Sequence, residues 1–359
     1  MLFGMDAEKV HEFSIEALRF SLSSDLAQSL AAKRFEAEAF CRVERFGLTF
    51  KNPLGIAAGF DKNGVVVNQL AALGFGFVEV GTVTFAPQKG NEKPRLFRLP
   101  QDNALVNRLG FNNDGARTIV ERLKKIHPNC VLGVNIGKNK DVLIEKATEN
   151  YLNSFDLVHE IADYVAINIS SPNTPNLREL QKAENLEELL SALQTRNKLL
   201  SAKPLLVKIA PDLSDAEIEI IVDICLRFEI TGVIATNTTI RRTDLKTDKA
   251  SLEKIGTGGL SGKPLADVSN YVISKIFTLS KGKLPVIGVG GIFTADDAFS
   301  KIAAGACLLQ AYTGFVYHGS FFARDINTGL ASILNAKGFD NIDAAIGSGL
   351  VESRPGNSG

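Results

Sequence analysis

The sequence predicts a (β/α)8 barrel, in which eight parallel strands form a closed cylinder surrounded by helices. Short apolar runs recur along the chain, and each is almost continuously hydrophobic, which is typical of parallel strands buried on both faces. Amphipathic helical patterns such as 186–200 and 216–228 separate the runs, so strand and helix alternate. The eight runs are 54–59, 77–84, 131–137, 164–170, 205–210, 232–238, 285–290 and 307–312. A doubly wound open sheet would show the same alternation and is the alternative.

Two short helices and a β-hairpin are predicted before the first of these runs. The apolar residues of the two helices repeat at helical spacing: Val10, Phe13, Ala17 and Leu18 in the first, and Leu26, Leu30 and Ala31 in the second. The second helix is expected to span about 25–40, with Ser23 or Ser24 as its cap. Segments 43–46 and 48–50 flank Gly47 and predict a hairpin at the bottom of the barrel.

The chain therefore divides into a helical hairpin at 1–40, a barrel at 41–335 and a tail at 336–359. The tail is rich in Gly, Ser and Asn and loses its periodicity after about residue 346, so we expect disorder there. The connections at 85–130 and 239–284 are long. Both follow the carboxyl end of a strand, which is where barrel enzymes place their chemistry.

Composition excludes several classes of function. The 359 residues include 40 basic and 40 acidic side chains, and a net charge of zero argues against nucleic-acid binding. The four cysteines and four histidines are scattered without metal-binding spacing, so we expect no metal site. The first residues do not resemble a secretory signal peptide, and no apolar run reaches the roughly 18 residues of a membrane-spanning helix.

Polar residues follow the carboxyl end of every predicted barrel strand. Loop entry and helix capping would explain the Ser, Thr and Asn residues, but they do not explain the lysines at 62 and 208. We therefore expect a functional site at this end of the barrel. The residues concerned are Asp61, Lys62, Thr82, Asn135, Asn168, Ser170, Ser171, Asn173, Lys208, Thr236, Asn237, Thr238, Gly290, Gly291, Tyr312 and Thr313.

Glycine-rich segments at 258–262, 288–291 and 312–314 indicate that part of this site binds phosphate. They do not form a nucleotide P-loop, because Pro264 stands where that motif requires Ser or Thr, and no dinucleotide-binding fingerprint is present. A phosphate site, two lysines and several amides suit a phosphorylated cofactor beside a small anionic substrate. A lysine next to a flavin ring can stabilise the negative charge of the reduced ring.

Several motifs closely resemble those of dihydroorotate dehydrogenases. They are NPLGIAAGFDK at 52–62, GTVT at 81–84, PRLFR at 94–98, NRLGFN at 107–112, NIGKN at 135–139, NISSPNTP at 168–175, VKIAP at 207–211, ATNTT at 235–239 and GVGGI at 288–292. The resemblance extends in order from His11 to Gly329. It is to the membrane-associated, quinone-reducing class, because cytosolic classes have Cys at the position of Ser171 and lack the helical hairpin.

This resemblance implies oxidation of dihydroorotate to orotate in pyrimidine biosynthesis. A base removes the proton from C5, FMN accepts a hydride from C6, and ubiquinone or menaquinone then takes the electrons. Ser171 would be the base, whereas Ser170, its neighbour on the strand, would point away from the ring. A serine hydroxyl is a poor base at neutral pH, so we expect help from Thr174 or an ordered water.

The resemblance also assigns residues to each ligand. Substrate would contact Lys62, Asn107, Arg108, Leu109, Gly110, Phe111, Asn168, Asn173, Asn237 and Thr238. FMN would contact Ala58, Gly59, Phe60, Asp61, Lys62, Thr82, Asn135, Asn168, Lys208, Thr236, Gly262, Gly291, Tyr312 and Thr313. His11 and Arg98 would face the quinone. The family usually has Ser at position 313 and Leu at position 60, so Thr313 and Phe60 are departures, of which Thr313 keeps the hydroxyl.

The helical hairpin has two interpretations. It could simply cap the open end of the barrel, or it could lie on a membrane and admit the quinone tail, which the resemblance favours. A peripheral position on the cytoplasmic side of a bacterial inner membrane is then expected. Two other functions stay open from the residues: a fumarate- or NAD-linked dehydrogenase of the same superfamily, and a non-catalytic flavin- or phosphate-binding module.

Overall fold

The computed structural model describes residues 4–37 and 42–351. Within these residues, eight parallel strands form a closed barrel and five further strands form two small antiparallel sheets. The strands are β1 Val43–Arg45, β2 Leu48–Phe50, β3 Leu54–Ile56, β4 Phe77–Val83, β5 Leu96–Leu99, β6 Ala104–Asn107, β7 Val131–Ile136, β8 Tyr164–Asn168, β9 Leu205–Ile209, β10 Gly232–Ala235, β11 Gly259–Gly262, β12 Val286–Val289 and β13 Ala306–Ala311.

The barrel closes in the order β3-β4-β7-β8-β9-β10-β12-β13. Its last strand pairs in parallel with its first, so that Leu309 lies opposite Leu54 and Ala311 opposite Ile56. All eight predicted runs are confirmed as barrel strands. The doubly wound alternative is wrong, because an open sheet would leave β3 and β13 as unpaired edges.

Helices surround the barrel, and the helical patterns at 186–200 and 216–228 are confirmed as α6 and α7. Ser214 and Glu217 form the capping box that begins α7: each side chain accepts a hydrogen bond from the backbone N–H of the other. The helices are α1 Ala7–Ser21, α2 Asp25–Phe35, α3 Val67–Ala72, α4 Ala116–Leu123, α5 Ala147–Val158, α6 Ala183–Leu199, α7 Asp215–Arg227, α8 Lys249–Ile255, α9 Ala266–Ser280, α10 Ala295–Ala303, α11 Thr313–His318, α12 Phe322–Ala336, α13 Ile342–Ala345 and α14 Ser348–Val351.

The predicted hairpin of β1 and β2 lies at the amino-terminal end of the barrel. The ring of Phe50 packs against that of Phe77, the first residue of β4, with 5.2 Å between the ring centroids. Phe46 lies beside Gly232, where β10 begins. These aromatic rings keep water from the apolar barrel interior at that end.

A three-stranded antiparallel sheet lies outside the barrel, and the sequence analysis did not predict it. Strand β6 is its centre and pairs with both β5 and β11. β5 and β6 come from the long connection after β4, and β11 comes from the one after β10. Both connections leave the carboxyl end of the barrel, so the sheet extends above that end.

Of the two amino-terminal helices, α1 packs against β5 of this sheet and α2 packs against α3. Ser24 caps α2 by accepting a hydrogen bond from the backbone N–H of Ala27, as predicted. Glu8 of α1 forms a buried ion pair with Arg95, which directly precedes β5, with 2.7 Å between Oε1 and Nη2. α2 was predicted to continue to residue 40, but it ends at Phe35. The prediction is wrong for residues 36 and 37, because the backbone becomes extended at Glu36. Residues 38–41 lie outside the described part.

The segment 347–351 has a regular structure that its composition did not suggest. The expectation of disorder after residue 346 is wrong for Ser348–Val351, which form α14 next to α10. The backbone N–H of Gly347 donates to the carbonyl of Ile302 at 3.0 Å and fixes the start of this segment. The remainder of the predicted tail, 352–359, lies outside the described residues. Among the helices described, none is both long and apolar enough to cross a membrane.

Candidate active site at the carboxyl end of the barrel

A cavity that is open at its mouth lies at the carboxyl ends of the barrel strands. Closure of the barrel brings the end of every strand to one rim, so residues far apart in sequence share the cavity. Most of the predicted site residues line it, namely Ala58, Gly59, Lys62, Thr82, Asn107, Leu109, Gly110, Phe111, Asn168, Ser171, Asn173, Lys208, Thr236, Asn237, Thr238, Gly262, Gly291, Tyr312 and Thr313.

Amide and hydroxyl groups on neighbouring strand ends are joined in one hydrogen-bond network. Asn168 Nδ2 donates to Thr82 Oγ1 at 2.9 Å, and this hydroxyl donates to Asn135 Oδ1 at 2.6 Å. Asn168 Oδ1 accepts hydrogen bonds from Ser170 Oγ at 3.0 Å and from Asn237 Nδ2 at 3.3 Å. These side chains are therefore held in fixed orientations, as recognition of a flat polar molecule requires.

The two serines after β8 have different surroundings. Ser171 lines the cavity, and its Oγ accepts a hydrogen bond from the backbone N–H of Asn173 at 3.2 Å. Ser170 is fully buried and its hydroxyl is used within the amide network. Asn173 Nδ2 in turn donates to Asn107 Oδ1 at 3.0 Å, which links the segment after β8 to the end of β6. Of the two hydroxyls, that of Ser171 faces the cavity.

Two lysines give the cavity a positive potential. Lys62 is half-buried in the wall, and burial lowers its pKa to about 8, although the charge of Glu8 opposes the shift. Lys208 is buried at the end of β9, where burial lowers its pKa and the charge of Glu79 raises it. An anionic ligand in the cavity would meet both ammonium groups.

Beneath the cavity, inside the barrel, lies the fully buried carboxylate of Glu79, which the sequence analysis did not single out. Its Oε1 accepts a hydrogen bond from Asn135 Nδ2 at 2.9 Å and lies 3.7 Å from Lys208 Nζ. Its Oε2 accepts hydrogen bonds from Tyr164 Oη at 2.9 Å and from Gln310 Nε2 at 2.7 Å. A charged residue in the middle of an apolar run was the signal that could have found it.

Glycines form the opposite wall, where backbone approaches backbone. A Cβ on Gly291, which has a φ of +75°, would lie 2.5 Å from the Cβ of Ala266. A Cβ on Gly262, at a φ of +104°, would lie 2.2 Å from the carbonyl oxygen of Asn103. The hydroxyls of Ser261 and Thr313 lie 2.8 Å apart beside them. The predicted glycine-rich segments thus meet at one wall, with two hydroxyls available to an anion.

Comparison with known proteins identifies the family. A family model described as dihydroorotate dehydrogenase matches residues 41–334. The chain belongs to the dihydroorotate dehydrogenase family. It is 47% identical over 347 residues to a dihydroorotate dehydrogenase (quinone) from Gloeobacter violaceus, covering 97% of this chain and 96% of the relative. It is 50% identical over 329 residues to one from Christiangramia forsetii, covering 91% and 95%.

The fold comparison agrees with this assignment. A crystal structure of the dihydroorotate dehydrogenase of Eimeria tenella in complex with ferulenol is similar with a TM-score of 0.83. The two chains are 39% identical, and the match covers 93% of this chain and 96% of the other.

Across the described residues of this family member, no group of three or more His, Cys, Asp and Glu side chains could hold a metal ion.

Two residues that the family resemblance assigned to the cofactor lie behind the cavity wall. Asp61 is buried, and its carboxylate accepts hydrogen bonds from the backbone N–H groups of Val65 and Val66 at 2.9 and 2.8 Å, while burial raises its pKa. Asn135 is fully buried in the amide network and donates to Glu79. Their side chains hold the turn after β3 and the floor of the cavity.

The side chain of Arg108, a residue that the resemblance assigned to substrate, does not line the cavity. Its guanidinium donates to the backbone carbonyls of Ile255 and Thr257 and lies 4.6 Å from the centre of the Phe97 ring. The guanidinium turns outward because these carbonyls, just before β11, offer acceptors on the far side of the small sheet. Arg108 thus ties β6 to the connection that precedes β11.

The residues assigned to quinone lie near one edge of the cavity. The ring of His11 on α1 meets that of Phe60 edge-on, with centroids 5.0 Å apart, and Phe60 contacts Tyr312 of the cavity wall. Burial, with a smaller effect of the charge of Lys62, lowers the pKa of His11 to about 3, so its imidazole is neutral at physiological pH. Arg98 donates to the backbone carbonyl of Met5 at 2.7 Å, which ties it to the segment before α1.

An arginine that the sequence analysis missed fixes the segment containing Ser171. The guanidinium of Arg178 donates to the backbone carbonyl of Ser170 at 3.1 Å and to that of Thr238 at 3.2 Å. It also pairs with Asp212, with 3.0 Å between Nη1 and Oδ2. One side chain therefore connects the segments that follow β8, β9 and β10.

Replacing Arg178 with Lys is expected to loosen these segments, because an ammonium cannot reproduce the planar, multidentate contacts. Amide hydrogen exchange at 170–177 should become about tenfold faster or more, since losing hydrogen bonds to a charged group costs on the order of 1.5–3 kcal/mol. Arg241→Lys is the matched control, because Arg241 also approaches Asp212 but is mostly exposed. Equal acceleration in both variants would contradict this role for Arg178.

Proposed function

We propose that this protein oxidises dihydroorotate to orotate in pyrimidine biosynthesis, with FMN as cofactor and a membrane quinone as final electron acceptor. The observation that carries the proposal is the convergence of Lys62, Asn168, Ser171, Lys208 and Asn237 on one cavity. The proposal is supported by the curated relatives, which are named dihydroorotate dehydrogenase (quinone). The chain matches them over nearly their whole length.

The cavity wall suits FMN at both ends of that molecule. The close-packed backbone at Gly262 and Gly291 and the hydroxyls of Ser261 and Thr313 fit a phosphate. At the floor, Gln310 Oε1 is buried and has no hydrogen-bond partner among the described residues, so a ring N–H could satisfy it. Bound there, FMN would supply the hydride acceptor, and Lys208 would balance the negative charge that the ring gains.

The substrate would lie between the flavin and the segment after β8. The amides of Asn107, Asn173 and Asn237 offer paired donors and acceptors to the carbonyl and N–H groups of a pyrimidine ring. Lys62 supplies positive charge for the substrate carboxylate. A small, flat anion is thus fixed in one orientation by groups that are themselves held by hydrogen bonds.

Ser171 would accept the C5 proton as the hydride leaves C6. The hydroxyl proton of Ser171 would leave as the C5 proton arrives, and the hydrogen bond that Oγ accepts from the N–H of Asn173 stabilises the oxygen while it lacks a proton. Thr174 Oγ1 is buried and has no partner among the described residues, so it can bind a water that carries the proton onward. The substrate loses one proton and one hydride, and the double bond of orotate forms between C5 and C6.

Electrons would leave on the side of α1 and α2. His11, Phe60 and Tyr312 make a continuous contact from α1 to the cavity wall, and a neutral imidazole can hydrogen-bond a quinone carbonyl. Several large apolar side chains on or next to these helices are exposed: Met5, Phe13, Phe20, Leu26 and Leu30. We infer that this surface rests on a membrane, which would be the cytoplasmic face of a bacterial inner membrane, and admits ubiquinone or menaquinone.

The first test is turnover with defined donors and acceptors. The purified protein is expected to be yellow, to release FMN on denaturation and to lose its flavin colour when dihydroorotate is added without oxygen. Dihydrouracil, which lacks the carboxylate, is the matched donor control and should leave the colour unchanged. Quinone should restore the colour faster than fumarate or NAD. Preference for fumarate or NAD would assign another acceptor class, and a colour that survives dihydroorotate would refute the substrate.

Replacing Ser171 with Ala is expected to slow flavin reduction by dihydroorotate by about 100-fold or more, because the proton acceptor is lost. Flavin content should equal that of the parent protein, since the hydroxyl does not hold the cofactor. Ser170→Ala is the control on the neighbouring residue and should slow the reaction less than tenfold. Stopped-flow absorbance measures both rates, and a fast Ser171→Ala variant would mean that another group is the base.

The double variant Phe13→Ser, Phe20→Ser tests the membrane surface. These side chains are 65% and 87% exposed, so folding should be unaffected, but vesicle binding should fall about tenfold or more because apolar contact area is lost. Turnover with long-chain quinone in vesicles should fall with it, while turnover with a soluble dye should not. Leu143→Ser, Leu199→Ser is the control, with 71% and 73% exposure elsewhere. Equal losses with both acceptors would make the helices only a structural cap.

A further inference from the structure

Glu79 stands in the middle of β4, and its carboxylate lies inside the barrel with none of its surface exposed. Such a group is costly to bury unless its charge is compensated. Three neutral donors reach it, from Asn135, Tyr164 and Gln310. The two carboxylate oxygens accept all three hydrogen bonds, but the donors are neutral and do not supply a charge that balances the carboxylate.

The charge that matches the carboxylate is the ammonium of Lys208. Its Nζ lies 3.7 Å from Glu79 Oε1, and both side chains are nine-tenths buried or more. Among the described residues, Glu79 is the group whose charge opposes the effect of burial on Lys208, which lowers its pKa. Without the carboxylate, Lys208 would be a buried, unpaired cation and would tend to lose its proton.

We propose that Glu79 is a positioning residue that keeps Lys208 charged and directed into the cavity, and that the pair thereby sets how readily the bound flavin is reduced. The inference rests on the function proposed above, because it requires a flavin over Lys208. Lys208 is the nearer of the two charges to the cavity, since it lines the wall and Glu79 does not. The net effect of the pair is therefore to stabilise negative charge in the cavity.

The experiment measures the reduction potential of the bound flavin, by equilibration with reference dyes and without substrate, in the variants Glu79→Gln and Lys208→Met and in the double variant. Flavin content and the thermal midpoint of each purified holoprotein are recorded beside it. Tyr164→Phe is the control, because it removes one hydrogen bond from the same carboxylate and leaves every charge in place.

Glu79→Gln is expected to lower the ratio of reduced to oxidised flavin at fixed potential by about tenfold, which is about 30 mV for two electrons. Lys208→Met, with Glu79 still present, should lower this ratio more than Glu79→Gln does, because an unpaired carboxylate then remains under the flavin site. In the Glu79→Gln background the same change should alter the ratio less than twofold, because Lys208 is already neutral there. Tyr164→Phe should lower the thermal midpoint and change the ratio less than twofold.

An unchanged or raised flavin potential in Glu79→Gln would overturn the inference, and so would an equal effect of Lys208→Met on the potential in both backgrounds. A potential shift in Tyr164→Phe as large as that in Glu79→Gln would also overturn it. The fourth contradicting result is a loss of flavin in Glu79→Gln that persists in the double variant. Recovery of lost flavin by the double variant would support the pairing, since removing a buried ion pair together costs less than removing one partner. A parent protein that binds FMN and is bleached by dihydroorotate upholds the proposed function whichever result is found.

Discussion

The hydrogen bonds between β13 and β3 close the sheet, and the rest of the structure depends on that closure. Once the cylinder is complete, the strand flanks are covered by neighbouring strands, and the outer faces are covered by helices. Polar side chains that need contact with a ligand then have one place to go, the rim at the carboxyl ends. The rim carries the amides, hydroxyls and lysines of the site, and the buried carboxylate of Glu79 lies beneath it.

The amide side chains at the rim are hydrogen-bonded to one another, which limits the cost of burying them. The network from Asn135 through Asn168 to Asn237 spans the ends of β7, β8 and the segment after β10, so no amide can rotate alone. Arg178 connects backbone carbonyls across the same side of the barrel. A rim organised in this way presents fixed dipoles before a ligand arrives, which reduces the reorganisation that binding requires.

The sequence was sufficient for the parts of the molecule whose pattern is local. Eight unbroken apolar runs, the capping box of α7 and the polar residues after each run are readable from neighbouring residues. The sheet of β5, β6 and β11 was missed because its strands have only four residues each and because β11 pairs with β6 across more than 150 positions, as Gly259 does with Asn107. Motif resemblance placed Arg108 in a substrate-binding segment but could not give the direction of its side chain, which depends on carbonyls of the distant segment before β11.

The ion pair of Glu8 and Arg95 joins α1 to the segment that leads into β5. Arg95 is followed directly by Leu96, which belongs to β5 and lines the cavity. The residue that pairs with α1 is therefore the sequence neighbour of a residue in the cavity roof. Because the pair is buried, loss of either partner would leave the other charge buried and unpaired. A substitution at Glu8 would therefore act on the roof of the cavity, although no residue of α1 lines the cavity itself.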